Sequence, residues 1–146
     1  MNRFVIDTGE GPQKTYTDPA LDEEVRRLLA EGWLLRLLAG TAENGTCSGV
    51  YLYAAATEAV LLSDKPLAPG QIYELLGTMF DKKPAAVRKC LRYVSFDYAN
   101  CRAACRALTD VSEKAFGYMR EMGFIAMLAD ETAAAAADRM ARGKAV

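Results

Sequence analysis

Residues 72–93, IYELLGTMFDKKPAAVRKCLRY, carry two apolar stripes separated by a short charged turn. Ile72, Leu75, Leu76, Met79 and Phe80 repeat at the three- and four-residue spacing of one helical face. Asp81, Lys82 and Lys83 make the turn, and Pro84 opens the next helix where a missing N–H does no harm. At about 100° per residue, Val87, Cys90, Leu91 and Val94 share one arc. Arg88, Lys89 and Arg92 share the opposite arc, and Tyr93 borders both. Gly77 costs a helix roughly 1 kcal/mol relative to alanine, so its presence predicts a close crossing by the second helix. Two helices joined in this way over residues 71–94 form a helix-turn-helix, which lays its second helix into the DNA major groove. The fold expected around it is all-α, a compact helical bundle.

The flanking sequence supports that class. Asp18 is an N-cap, Pro19 suits the first helical position, and Asp22, Glu23 and Glu24 oppose the positive end of the helix dipole. Leu21, Val25, Leu28 and Leu29 then form one buried stripe, which Gly32 ends or bends. Residues 33–38 continue as a short apolar helix, residues 41–49 form a loop, and residues 51–62 read as a buried helix closed by Pro66 and Pro69. Further helices are expected over residues 99–108 and 112–122, followed by the apolar run FIAMLAD at 124–130. The alanine-rich tail from Glu131 is helix-prone and packs on the core, packs on a partner, or frays. Trp33, Tyr51, Tyr53, Phe80, Phe116, Met119, Met122 and Met127 are expected in the core. Residues 1–20 form a leader or a small β-hairpin, with weak alternation around Thr8–Pro12, and residues 21–146 form a single helical domain.

The 146 residues suffice for one domain that buries roughly two-thirds of its unfolded surface. The net charge of −1 conceals a strong asymmetry. Residues 1–81 hold six basic against twelve acidic side chains, whereas residues 82–106 hold seven basic against the single acid Asp97. Screening confines each charge to about 8 Å at physiological salt, so this local excess is what a phosphate backbone meets.

Other chemistries find little support. The chain has no histidine, no phosphate-cradling glycine loop and no pair of carboxylates at an acid–base spacing, so neither an enzyme nor a cofactor is expected. Cys101 and Cys105 stand one helical turn apart, yet two sulfurs without a further ligand make a poor metal site, and apolar packing is the expected role. Cys47 and Cys90 complete a set read as reduced, unpaired thiols in a cytoplasmic compartment. The longest apolar stretch, residues 50–62, is too short to span a bilayer, and no membrane partner is expected.

Four collinear segments carry a resemblance. IYELLGTMFDKKPAAVRKCLRY, Gly49-Val50-Tyr51-Leu52-Tyr53, Phe116-Gly117-Tyr118 and residues 124–130 are similar, in the same order, to parts of the DNA-binding effector domain of the stage zero sporulation protein A family, response regulators of Firmicutes. The likeness covers residues 34–130. It implies an all-helical effector domain without its receiver domain, with the helix from Ala85 as recognition helix. The recognition helix of that family looks like serine-arginine-valine-glutamate-arginine-alanine-isoleucine-arginine-histidine. At the matching positions stand Ala86 for the first arginine, Arg88 for the glutamate, Lys89 for the second arginine and Tyr93 for the histidine; Arg92 alone is retained among the basic positions. An arginine held to guanine by two hydrogen bonds discriminates by roughly 1–3 kcal/mol and an alanine cannot, so the operator of the family does not transfer.

The expected activity is that of a stand-alone, sequence-selective DNA-binding transcription regulator of a sporulation-type bacterium or its mobile elements. Arg88, Lys89, Arg92 and Tyr93 are assigned to base edges and nearby phosphates, and Lys82, Lys83, Arg102 and Arg106 to the backbone. The expected partner is double-stranded DNA, with a second copy of the chain or another regulator as a protein partner. The alternative is a protein-interaction module of the same fold that has lost operator reading and modulates a partner regulator.

Overall fold

The computed structural model describes residues 11–45 and 47–144. Among them run eight α-helices: α1 (Pro19–Ala30), α2 (Trp33–Thr41), α3 (Gly49–Leu62), α4 (Pro69–Phe80), α5 (Pro84–Tyr93), α6 (Tyr98–Ala104), α7 (Glu113–Gly117) and α8 (Glu121–Lys144). A 3₁₀ turn at Arg106–Leu108 separates α6 from α7, and an isolated antiparallel bridge joins Ala42 to Phe96. No strand occurs among the described residues, and the all-α class expected from periodicity is the one observed. No helix among the described residues is long and apolar enough to cross a membrane.

α3 is the centre. Val50, Leu52, Tyr53, Ala56, Thr57, Val60 and Leu61 are all buried, so apolar surface faces outward on every side of the helix and must be covered by neighbours. α2, α4, α5 and α8 supply that cover. α1 begins where the capping signals place it: Asp18 accepts from the Ala20 amide at 2.9 Å, and Pro19 occupies the first turn. Its stripe of Val25 and Leu28 is buried, with Leu21 and Leu29 half-buried, and it lies along α8.

Four expectations change or narrow. The FIAMLAD run and the alanine-rich tail are one helix of 24 residues, α8. Its first half is buried nearly all round (Ile125, Met127 and Leu128 each 0% exposed), and its second half presents Thr132 and Ala136 to the interior. The tail therefore packs on its own core, fastened by Arg139, whose guanidinium donates to Glu31 at 2.7 and 3.0 Å. The segment 99–108 is not one helix, because it breaks at Cys105 before the 3₁₀ turn. The segment 112–122 is split as well: Ser112 caps a five-residue α7 that stops at Gly117. Tyr51 and Phe80, expected in the core, are exposed at 54% and 37%, and Leu75 and Met79 stand out from α4 at 41% and 57%. A stripe of five apolar positions on α4 is wider than the surface α3 and α5 offer it.

The proposed hairpin falls, up to residue 10, outside the described residues. Residues 11–18 run in no regular element but are anchored: Lys14 pairs with Asp22 at 3.5 Å, and the Tyr16 hydroxyl donates to the same carboxylate at 3.5 Å.

Candidate nucleic-acid interface

The turn between α4 and α5 is built by backbone geometry. Asp81 takes the left-handed conformation (φ 53°), which ends α4, and the Lys82 amide donates back to the Gly77 carbonyl at 2.9 Å. A Cβ on Gly77 would lie 2.5 Å from the Lys82 carbonyl oxygen. The glycine thus makes room for the turn itself, rather than for the second helix as its position suggested. Pro84 occupies the first turn of α5, as expected.

α5 is held from behind and at its end. Val87 and Leu91 are 0% exposed, against α3 and α4, and Val94 and Cys90 flank them on the same side. At the C-terminus the Asn44 side chain clasps the chain: its amide donates to the Tyr93 carbonyl at 2.9 Å and its oxygen accepts from the Ser95 amide at 2.9 Å. The Glu43 amide also donates to Ser95, at 2.7 Å. Gly49, at the start of α3, lets that helix abut α5, since a Cβ there would lie 2.5 Å from both the Cys90 carbonyl oxygen and Val94 Cγ2.

The outward arc of α5 carries Arg88, Lys89, Arg92 and Tyr93, all exposed, with Tyr93 at 72%. Lys82 and Lys83 continue it into the turn. Among the described residues no carboxylate lies within 4.0 Å of Lys82, Lys83, Arg88 or Lys89. Arg92 differs: its Nε donates at 2.7 Å to Glu121, whose side chain is only 7% exposed at the start of α8, while the arginine side chain as a whole stays 56% exposed. This pair aims Arg92 and fixes the end of α5 to α8. Beside it, Ser48, Gly49, Lys89, Cys90, Arg92 and Tyr93 line a groove of about 450 Å³.

The other two cations assigned to this surface sit elsewhere. Arg102 is on α6, which packs on α2; its guanidinium lies 6.0 Å from the Tyr98 ring centroid and donates to the Thr109 carbonyl at 3.4 Å. Arg106 begins the 3₁₀ turn, which packs on α8, and is paired with Asp138. Its backbone amide donates to Glu131 at 3.0 Å. Burial raises the Glu131 carboxyl above its usual range, a shift that the Arg106 contacts oppose. Six of the eight assigned residues therefore share the turn and α5, and two do not. Asn44 and Glu121 were the residues missed, and their partners lie 49 and 29 positions away in sequence.

Cys101 and Cys105 are both 0% exposed, and burial pushes each thiol up to about 12. Cys101 Sγ donates to the Thr41 carbonyl at 3.7 Å, in keeping with a packing role. All four cysteines are free. Compared with protein-family models, curated proteins and solved structures, the chain finds no significant match in any of the three.

Proposed function

We propose that this chain is a sequence-selective DNA-binding transcription regulator in which α4 and α5 act as a helix-turn-helix and α5 enters the major groove. The observation that carries the reading is the pairing of a fully buried Val87–Leu91 face with an outward arc of Arg88, Lys89, Arg92 and Tyr93. Unpaired cations on such a ridge gain most from releasing the counterions of a phosphate backbone. Arg92, held by Glu121, is the residue best prepared for base contact, because its side chain is already ordered before DNA arrives. Lys82, Lys83 and Lys89 serve the phosphates. The four segments resembling the sporulation regulator's effector domain support the same assignment.

Selection of bound duplexes from a random library at two salt concentrations tests it. A shared sequence that survives the higher salt is expected. Binding that is lost equally for all sequences would contradict sequence selectivity.

A second reading rests on a separate observation. Leu75 and Met79, exposed and one turn apart on α4, suit a domain that docks on a partner regulator. The double substitution Leu75→Glu and Met79→Glu separates the two: it removes docking and spares duplex binding.

A further inference from the structure

A second cleft opens where the end of α5, the segment leading to α6, α7 and the start of α8 meet, with a volume of about 490 Å³. This lies within the range of sites for small organic molecules. Its apolar wall is aromatic. The Phe96 and Phe124 rings stack at 4.3 Å with an interplanar angle of 17°, and both remain partly exposed. Tyr53 meets Phe96 edge-on from the buried side at 5.2 Å, and Phe116 meets Phe124 at 5.6 Å. These rings are held by the core, so they are ordered before anything binds. A partly exposed, pre-ordered aromatic stack is a surface that another ring covers well.

The rim is charged in one sense. Glu121 lines the cleft, but its charge is already met by Arg92 at 2.7 Å. Arg120 lines it too, is exposed, and has no carboxylate within 4.0 Å among the described residues. Gly117 stands on the same rim with no atom within 4 Å of where a Cβ would lie, which leaves the mouth open. One unmatched cation therefore faces an aromatic wall.

We propose that this cleft is a binding site for a small aromatic carboxylate, its ring against Phe96 and Phe124 and its carboxylate on Arg120. The site does not depend on the DNA-binding reading, and it is tested without DNA. An amine of the same shape would meet Arg120 as a like charge, and an aliphatic acid would leave the aromatic wall uncovered.

Met119 lines the cleft and Met79 lies on α4, so their methyl groups report on the site and on a remote surface. The 146-residue chain with ¹³C-methyl methionine, assigned through Met119→Leu, would be titrated with 3-phenylpropionate, 3-phenylpropylamine and propionate. The phenylpropionate titration is expected to shift Met119 saturably and leave Met79 unmoved, with the other two probes much weaker. Arg120→Gln, at an exposed position, is expected to weaken phenylpropionate roughly five-fold. Absence of a saturable Met119 shift, an amine that binds as well as the acid, or an unchanged affinity in Arg120→Gln would each overturn the proposal.

Discussion

Two groups of cations divide the surface. Around α1 and α8 four guanidinium groups are matched to acids: Arg26 to Asp22 at 2.9 Å, Arg27 to Glu23 at 2.7 Å, Arg139 to Glu31 at 2.7 Å, and Arg106, on the 3₁₀ turn, to Asp138 on α8. The Arg26 guanidinium holds the Asp22 carboxyl below its usual range, and Arg139 does the same for Glu31. On the turn before α5 and along its outer arc, Lys82, Lys83, Arg88 and Lys89 have no such acid among the described residues. The first group is satisfied within the chain, by i,i+4 pairs along α1 and by pairs that tie α8 to the end of α1 and to the 3₁₀ turn; the second stays exposed without an acid. Charge count alone does not separate them. What separates them is where the acids lie.

The largest effect expected from breaking this contrast comes from the shared support, not from the charges. Leu91→Ala removes a fully buried side chain behind the ridge and should cost about 2–5 kcal/mol in chemical denaturation. Next, Arg88→Glu with Lys89→Glu should weaken duplex binding on the order of 100-fold at low salt. Its unfolding free energy should change by less than about 0.5 kcal/mol, because neither side chain has an acid to lose. If instead the double variant is clearly destabilised yet binds duplex as tightly as the parent, the two groups are not different in kind. Gly77→Ala places a Cβ against the Lys82 carbonyl and should destabilise by about 1–3 kcal/mol, lowering duplex affinity only through the displaced turn. Arg139→Ala, in the matched group, breaks only a solvent-screened pair, so it should lower the melting temperature slightly at most and leave duplex binding unchanged.

A pH prediction sharpens the interior half of the picture. The Cys101 and Cys105 thiols titrate at about 12 in the fold against an ordinary value of 9.0, a raised folded pKa caused first by burial. Their contribution is fully present below 9.0 and is lost as pH rises toward about 12, because the unfolded thiols ionise first. Melting temperature should fall across that window. At neutral pH a thiol reagent should modify the half-buried Cys47 and Cys90 well before the buried pair.

Local signals were legible in sequence, and distant pairings were not. The cap at Asp18, the proline starts of α1 and α5, and the two faces of α5 follow from spacing over a few residues, which a helix converts directly into geometry. Arg92 looked like any other outward arginine, because Glu121 reaches it only after α8 docks. Arg106 looked available for the same reason, its partner Asp138 lying 32 positions later. Asn44 read as a loop residue, although its amide closes the end of α5. Tyr51 and Phe80 show the converse: helical spacing predicts apolar residues inside, but the neighbouring helices cover these two only in part.

The dependence of duplex affinity on salt tests the central claim most directly. With about four phosphates neutralised by the unmatched cations, log affinity against log salt should run with a slope of about −3.6. Neutralising Arg88 and Lys89 to glutamine should reduce the slope to about −1.8, while Arg139→Gln leaves it unchanged. A flat dependence in the unaltered protein, or a slope that Arg139→Gln alters and the Arg88 and Lys89 substitutions do not, would contradict the account.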